Sequence, residues 1–420
     1  MKLVEFVPPT PHPLWELCPQ MGITDVIVKV NPELTGLNDP WRYETLAAIV
    51  GRLKSAGLTV VGLEGDPFDM TPIKEYGERI PRAKRVAEGD ALAGVGMGNG
   101  ERGTGNGERG MGNGERDEAL AHYRELLESM GRLGIKLLCY NFMVGKGWSR
   151  TGVREGRGGA KATYFSLDET EKERTSDFGR QTSSAKVRSP KSEVLILNHE
   201  QVWANYEYFI KSVMPTAEKM GIRMGLHPDD PCLPSLGGYA RIFGSIEAYD
   251  RAYAIYPSPS NAVTFCQANF KLMLGNGERI PRAKRVAEGD ALAGVGTGNG
   301  EALADAARHF GKRIAFIHIR DVEGDKTDFT ELFHDQGDVD QFALMRVYRE
   351  LGLDVPVRGD HVPEMAYDRV LTPEGTPGYF TLGRLFANGY LKALLAGCTY
   401  EGKKGGGTTR SANRRVSKSK

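Results

Sequence analysis

The chain has 420 residues, of which 40% are hydrophobic and 26% charged, enough to bury a large core in one α/β domain. Its formal net charge of +1 gives no overall bias towards nucleic acid or an anionic membrane. Neither a run of about eighteen apolar residues nor a signal-peptide core occurs, and the five cysteines do not resemble a secreted disulfide framework. We therefore expect a cytoplasmic location and no membrane or nucleic-acid partner.

Short apolar runs rich in Val, Ile and Leu alternate with longer stretches of helical period. The predicted strands are Leu3–Val7, Asp25–Val30, Thr59–Leu63, Lys136–Asn141, Ile222–His227, Ala262–Cys266, Ile314–Ile319 and Val355–Asp360. The helices predicted to follow them are Pro13–Met21, Pro40–Ala56, Asp117–Leu133, His199–Met220, Ser245–Ile255, Glu301–Phe310, Gln341–Leu351 and Tyr379–Leu395. Continuous apolar strands are typical of a parallel sheet buried on both faces, so these β-then-α units predict a single (β/α)8 TIM-barrel domain over residues 1–400. A doubly wound open sheet is the main alternative.

Three segments interrupt this alternation, at about 76–116, 168–194 and 277–300. Residues 277–296 repeat residues 77–96 letter for letter, whereas structural repeats share a pattern over their full period. We interpret the segments as low-complexity or polar insertions, and residues 401–420 as a basic, disordered tail. A G-x-G-x-x-G match at Gly105, Gly107 and Gly110 lies inside the first insertion with no strand before it, so it does not predict a dinucleotide site.

Four consecutive strand ends carry side chains that can bind a metal ion. The fifth strand ends at His227, the sixth at Cys266, the seventh contains His318, and the eighth ends at Asp360. Residues at equal heights on neighbouring barrel strands converge, so these four side chains would surround one ion. Taken singly, each is more often a buried core residue, and the prediction depends on their joint occurrence. Such a mixed set favours Mn2+, Fe2+, Co2+ or Zn2+ over Mg2+ or Ca2+.

At these residues the sequence resembles the mannonate dehydratase family of xylose-isomerase-like barrels. The stretches that carry the resemblance include MKLVEFVPPTPHPLWELCPQMGI, GLEGDPFDMTPIK, GLHPDDP, SPSNAVTFCQ, FIHIRDVEG, RGDHVPEM and GYFTLGRLFANGY. The resemblance implies Mn2+ or Fe2+ bound by the four residues above, with catalysis by His361 and Tyr379 next to Asp360. It also implies dehydration of the sugar acid D-mannonate to 2-keto-3-deoxy-D-gluconate in hexuronate (glucuronate) catabolism.

This chemistry agrees with the residue types. Removal of the hydrogen next to a carboxylate creates a high-energy dianion, which a divalent ion on the carboxylate and the neighbouring hydroxyl stabilises. A base must take the proton and an acid must protonate the departing hydroxyl. The sequence does not assign which of His361 and Tyr379 is the base and which the acid.

Three further residues are predicted to contact the substrate: Arg320, Asn141 and Asp229. Arg320 lies two residues after His318 and would bind the substrate carboxylate through two parallel hydrogen bonds, as a bidentate donor. An ion pair with Asp321 or Glu323 is an equally good interpretation of Arg320.

Two other functions fit the same sequence. A metal-dependent sugar isomerase or epimerase would use the same barrel, but such enzymes usually bind the metal through carboxylates and histidines, and Cys266 argues against them. The insertions follow the third, fourth and sixth strands and so emerge on the catalytic face, where they could inactivate the barrel. We further expect the chain to form a homodimer.

Overall fold

The computed structural model describes residues 1–37, 39–76, 113–172, 196–275 and 299–405. Its strands are β1 (Lys2–Leu3), β2 (Glu5–Val7), β3 (Asp25–Val28), β4 (Thr59–Glu64), β5 (Leu137–Tyr140), β6 (Gly152–Glu155), β7 (Lys161–Ser166), β8 (Arg223–Leu226), β9 (Ser235–Leu236), β10 (Tyr239–Ala240), β11 (Asn261–Cys266), β12 (Ile314–Ile319), β13 (Val322–Gly324), β14 (Asp328–Glu331) and β15 (Pro356–Gly359). The labelled helices are α1 (Leu14–Gln20), α2 (Pro32–Thr35), α3 (Tyr43–Ser55), α4 (Thr71–Lys74), α5 (Asn113–Arg132), α6 (His199–Met220), α7 (Ile246–Ile255), α8 (Gln267–Leu274), α9 (Asn299–Phe310), α10 (Gln341–Glu350), α11 (Asp368–Leu371) and α12 (Thr381–Gly405).

Nine strand segments form one parallel sheet in the order β1-β15-β12-β11-β8-β5-β4-β3-β2. The two end strands of this order, β1 and β2, are separated in the chain only by Val4. The first stretch of the chain therefore pairs with β15 on one side and with β3 on the other, and the sheet closes on itself. This confirms the predicted (β/α)8 barrel and excludes the doubly wound open sheet, which would leave two free edges.

The barrel strands are buried on both faces, which explains their continuous apolar sequences. All residues of β3, β5, β11 and β12 are buried. A small cluster that includes Ile27, Leu137 and Phe316 fills the barrel interior, and a much larger cluster packs the strands against the surrounding helices. Helix α6 has the bounds that the sequence predicted. It starts at a capping box in which Asn198 and Gln201 exchange side-chain-to-backbone hydrogen bonds, and it ends at Gly221, whose φ of 62° suits glycine.

A second, antiparallel sheet was not predicted. It consists of β6, β7, β13 and β14 in the order β13-β14-β7-β6, and we call it the cap sheet. Strands β6 and β7 follow β5, whereas β13 and β14 follow β12, so both hairpins extend from the carboxyl ends of barrel strands. Phe165 of β7 pairs in register with Phe329 of β14, and their ring centroids lie 5.9 Å apart. The cap sheet therefore joins two loops at the catalytic end of the barrel.

The predicted insertions lie mostly outside the described residues, as do Gly105, Gly107 and Gly110. Helices lie at three edges of the undescribed segments: α5 begins at Asn113, residues 167–172 are helical, and α9 begins at Asn299. Helix α12 continues to Gly405, so residues 401–405 of the predicted tail are helical, and residues 406–420 lie outside the described residues. Among the described helices, none combines the length and the apolar character needed to span a membrane.

Candidate metal centre and active site

The four predicted ligands converge at the carboxyl ends of neighbouring strands. Cys266, the last residue of β11, pairs in register with His318 of β12. His227 follows β8 and Asp360 follows β15. One ligand atom from each of the four side chains lies within 4.8 Å of the others, with His227 partly buried and the remaining three buried. The parallel register of the barrel thus brings together residues that are up to 133 positions apart in the chain.

The imidazoles of this cluster have ring nitrogens suited to a metal ion. Nδ1 of His227 lies 2.8 Å from the carbonyl oxygen of Pro228, which can only accept, so Nδ1 carries the hydrogen and Nε2 keeps its lone pair. Both ring nitrogens of His318 are buried and lack a hydrogen-bond partner among the described residues. Buried polar atoms normally have partners, and these nitrogens lie beside a thiol and a carboxylate. The four side chains therefore fit a divalent metal that accepts nitrogen, sulfur and oxygen ligands.

Asp360 lies at the centre of several positive charges. Nη2 of Arg358 is 3.0 Å from its Oδ1, and Nε of Arg320 is 3.5 Å from its Oδ2. Burial alone would raise the pKa of Asp360, but electrostatic interactions with His361 and with the Arg358 guanidinium hold it well below its usual range. Asp360 is therefore a carboxylate at neutral pH, as a metal ligand must be.

The two predicted acid–base residues contact each other at the same end of the barrel. Nε2 of His361 lies 2.9 Å from Oη of Tyr379. Burial and the negative charge of Asp360 raise the pKa of the Tyr379 phenol well above its usual range, so the hydroxyl stays protonated. Trp148 lies against both rings, with its centroid 5.0 Å from that of His361 and 6.4 Å from that of Tyr379.

Behind His361 lies a cluster of four buried charges, Arg150, Arg320, Asp230 and Glu331, which we call the charge cluster. Arg150 binds both oxygens of Asp230, at 2.7 and 3.0 Å, and Oε1 of Glu331 at 2.5 Å. Arg320 binds the same two carboxylates, at 2.9 and 2.7 Å. Oε1 of Glu331 lies 3.1 Å from Nδ1 of His361. Arg320 and Arg150 also approach Nδ1, at 2.5 and 3.4 Å. Because guanidinium groups only donate, a hydrogen bond from Arg320 uses the Nδ1 lone pair, whereas in the other tautomer Glu331 is the acceptor for an Nδ1 hydrogen.

A cavity of about 110 Å3 opens beside the ligands and the acid–base pair. It is lined by Glu64, Gly65, Cys139, Tyr140, Asn141, Met143, Trp148, His227, Asp230, Asp360, His361 and Tyr379. Among the residues predicted to contact substrate, Asn141 therefore lines this cavity. Its Oδ1 accepts hydrogen bonds from Nζ of Lys74 at 3.0 Å and from the backbone N–H of Met143 at 3.1 Å. Neither of these two contacts involves its amide nitrogen.

Arg320 and Asp229 do not line this cavity. Arg320 forms ion pairs with Asp230, Glu331 and, at 3.5 Å, Asp360, and not with Asp321 or Glu323, the alternative that the sequence left open. The buried Asp229 carboxylate accepts a hydrogen bond of 2.8 Å from the backbone N–H of Phe243. Substrate contacts by Arg320 and Asp229 stay predictions.

Sequence reasoning missed several residues of the site. Glu64 is the last residue of β4, so the rule that selected the four ligands, a polar side chain at a strand end, would also have found it. Arg358, one of the largest fully buried side chains, binds both oxygens of Glu64 through its Nε and Nη2 atoms, at 3.1 and 2.6 Å. Arg150 and Glu331 lie 181 positions apart and outside every predicted strand and helix, so no sequence pattern indicated their contact.

The chain is similar in sequence to proteins of one enzyme family. The sequence model of the D-mannonate dehydratase (UxuA) family matches residues 106–283 and 291–404. A mannonate dehydratase of Streptococcus equi subsp. zooepidemicus is 27% identical over 290 residues, which cover 66% of this chain and 73% of the relative. Mannonate dehydratase 2 of Halalkalibacterium halodurans is also 27% identical, over 295 residues, covering 66% and 75%.

The fold agrees as well. The crystal structure of mannonate dehydratase from Streptococcus suis serotype 2 matches with a TM-score of 0.66 and 21% identity, covering 100% of this chain and 99% of that one. The family match spans more than half of the chain and contains all four predicted ligands and the acid–base pair. It also decides against the isomerase or epimerase alternative. The chain belongs to the D-mannonate dehydratase family of hydro-lyases, as its sequence motifs suggested.

Proposed function

We propose that this chain dehydrates D-mannonate to 2-keto-3-deoxy-D-gluconate, in hexuronate catabolism, with a divalent metal held by His227, Cys266, His318 and Asp360. The proposal rests mainly on the convergence of these four side chains, whose ligand atoms lie within 4.8 Å of one another. We propose Mn2+ or Fe2+ as the metal, because the thiolate and imidazoles disfavour Mg2+ and Ca2+ and the family resemblance selects these two among the borderline ions.

A metal held by these four residues would supply positive charge next to the negative charge that develops on the substrate when the C2 proton leaves. The remaining steps depend on the chain's own side chains. Elimination breaks the C2–H and C3–O bonds, forms an enol and releases water, and the enol then tautomerises to the 2-keto product. One proton has to leave C2 and one has to reach the C3 hydroxyl.

We assign the base to His361 and the acid to Tyr379. In the tautomer with the hydrogen on Nδ1, which Glu331 can accept, Nε2 of His361 holds a lone pair and takes the proton from C2. Tyr379, whose hydroxyl stays protonated, gives its proton to the departing C3 hydroxyl. The contact of 2.9 Å between Nε2 and Oη then allows the proton on Nε2 to restore the phenol, which returns both groups to their starting state.

For substrate binding we propose Asn141 as a hydrogen-bond donor. Its Oδ1 is already bonded, and its amide nitrogen is the group left to donate to a substrate hydroxyl within the cavity. The ionic contacts of Arg320 support a role in orienting His361. The hydrogen bond of Asp229 to Phe243 supports a role in holding the loop after β8.

A homodimer and a cytoplasmic location also belong to this proposal. Cys18, Cys139, Cys232 and Cys266 are free and buried, as is common in proteins of reducing compartments. Gel filtration with light scattering would measure the oligomeric state.

The test is an assay of D-mannonate and of other aldonates that differ at C2 or C3, with detection of the 2-keto-3-deoxy product. We expect D-mannonate to be dehydrated, chelation to abolish the reaction, and Mn2+ or Fe2+ to restore it. Full activity in chelator, with no metal in the protein, would refute the metal centre. A full chain that binds metal but is inactive, and gains activity when residues 77–96 or 277–296 are deleted, would show that the insertions inactivate the barrel.

A further inference from the structure

Glu64 lies on the side of the His318 ring that faces away from Asp360. Nδ1 of His318 is 3.9 Å from Oδ2 of Asp360, whereas Nε2 is 3.5 Å from Oε2 of Glu64. Among the described residues, these are the two carboxylates within 4 Å of the His318 ring nitrogens. The two nitrogens therefore face different acidic groups, one a proposed metal ligand and the other not.

Arg358 fixes Glu64 in this position. Its Nη2 lies 2.6 Å from Oε1 of Glu64 and 3.0 Å from Oδ1 of Asp360, and its Nε lies 3.1 Å from Oε2 of Glu64. One buried guanidinium thus binds the carboxylates on both sides of the His318 ring. A distance of 3.5 Å is at the outer edge of hydrogen-bonding range, so a small rotation of the ring would bring Nε2 into a good hydrogen bond with Glu64.

A neutral imidazole carries one hydrogen, and the nitrogen that holds it cannot bind a metal. Metal-binding histidines commonly donate this hydrogen to a carboxylate, which fixes the ring and its tautomer. We propose that Glu64 is a positioning residue that accepts the Nε2 hydrogen of His318, so that Nδ1 keeps its lone pair for the metal ion. The inference rests on the metal centre proposed above.

A second metal site is the competing interpretation, because ligand atoms of Glu64, Cys139 and His318 also lie within 4.8 Å of one another. Both oxygens of Glu64 already accept hydrogen bonds from Arg358. An ion bound there would face the positive charge of that guanidinium at close range. The contacts therefore favour Glu64 as a hydrogen-bond acceptor over Glu64 as a ligand.

Glu64→Gln separates these roles because it keeps the shape and changes one acceptor into a donor. The shorter contact of Arg358 is with Oε1, so the amide oxygen of glutamine should take that position. Its NH2 group then replaces Oε2 and points a donor at Nε2 of His318. This favours the tautomer with the hydrogen on Nδ1, directed towards the metal position, and metal binding should weaken.

The experiment measures Mn2+ affinity and stoichiometry of chelator-treated protein by competition with a chromophoric chelator. It also records the ring-nitrogen NMR spectrum of 15N-histidine-labelled metal-free protein, with His318→Gln used to assign the signals. Wild type, Glu64→Gln and Glu5→Gln are compared. Glu5 is a matched control because it is a buried carboxylate bound by an arginine, Arg384, and has no contact with His318.

We expect Glu64→Gln to bind Mn2+ roughly 10–100-fold more weakly and to change the His318 tautomer, while Glu5→Gln changes neither. Unchanged affinity and tautomer in Glu64→Gln would overturn the inference, as would two ions per wild-type chain. If Glu64→Gln does not fold, Glu64→Asp replaces it, and unchanged affinity in that folded variant also overturns the inference. If the wild type binds no ion, the proposed metal centre itself fails; if the wild type binds and Glu64→Gln binds equally well, only the role of Glu64 fails.

Discussion

Replacement of Glu331 by glutamine tests whether the charge cluster contributes to stability in the way its geometry indicates. Glu331 is 1% exposed, and its Oε1 accepts hydrogen bonds from Arg150 and Arg320. Glutamine has almost the same shape but no charge, and its NH2 group would face guanidinium donors. Arg150 and Arg320 would then share the carboxylate of Asp230, with only the more distant Asp360 beside Arg320, so we expect Glu331→Gln to be strongly destabilising.

The magnitude follows from the pKa of Glu331. Burial alone would raise this pKa, but the charges of Arg320 and Arg150 lower it from 4.5 to about 2. A depression of that size corresponds to about 3 kcal/mol of folding stability at neutral pH. Removing one partner of a buried ion pair costs about 3–5 kcal/mol of folding stability in other proteins, in agreement with this value. Because the pKa is lower in the folded state, this contribution is complete above about pH 5 and is lost as the pH falls through 4.5 towards 2.

Urea unfolding of metal-free protein at pH 7 and pH 3 measures this effect. We expect the difference in unfolding free energy between wild type and Glu331→Gln to be about 3 kcal/mol at pH 7 and about half of that at pH 3. Asp328→Asn is the control, because Asp328 is 51% exposed in its ion pair with Arg154 and should cost about 1 kcal/mol or less. A loss in Glu331→Gln that is no larger than in Asp328→Asn, or equal at both pH values, would refute the reasoning.

Three further predictions concern the acid–base pair, the metal and the insertions. Tyr379→Phe should lower kcat by roughly a hundredfold or more with little change in KM, and His361→Asn should act similarly and alter the pH profile; near-normal turnover in both would show that neither residue transfers a proton. Cys266→Ser should keep the fold, lose metal affinity and need excess Mn2+ for residual activity, so an unchanged Mn2+ affinity would remove this residue from the ligands. Deletion of residues 77–96 or 277–296 should leave the Tm almost unchanged, because doubling a loop costs only about 0.6 kcal/mol; a large drop would show that the segment packs against the barrel.

The barrel and the convergence of the four candidate ligands could be predicted because both depend on local sequence features. A strand buried on both faces is apolar along its whole length, so the predicted bounds of the barrel strands fall within two residues of the observed ones. Parallel strands also place their carboxyl ends on one face, so His227 and Cys266 could be brought together without knowledge of any contact. The resemblance to a family then supplied the acid–base pair.

The cap sheet and the charge cluster could not be predicted in this way. Strands β6 and β14 have four residues each and are partly exposed, which gives too short a pattern to separate from a loop. The role of Arg150 depends on contacts with Asp230 and Glu331, which lie 80 and 181 positions away in the chain. Such pairings are set by tertiary packing, and a single sequence contains no trace of them.

The cap sheet has a consequence for how the substrate range of such an enzyme can be changed. In most barrels each loop at the catalytic end is a separate unit that can be exchanged alone. Here the loop after β5 and the loop after β12 share one hydrogen-bonded sheet, and a side chain from each, Arg150 and Glu331, meets beneath it. A loop grafted at one of these positions would lose its partner strand in the cap sheet. It would also leave Arg150 or Glu331 buried without its partner of opposite charge. Directed evolution of new specificity should therefore treat the two loops as one cassette and vary them together.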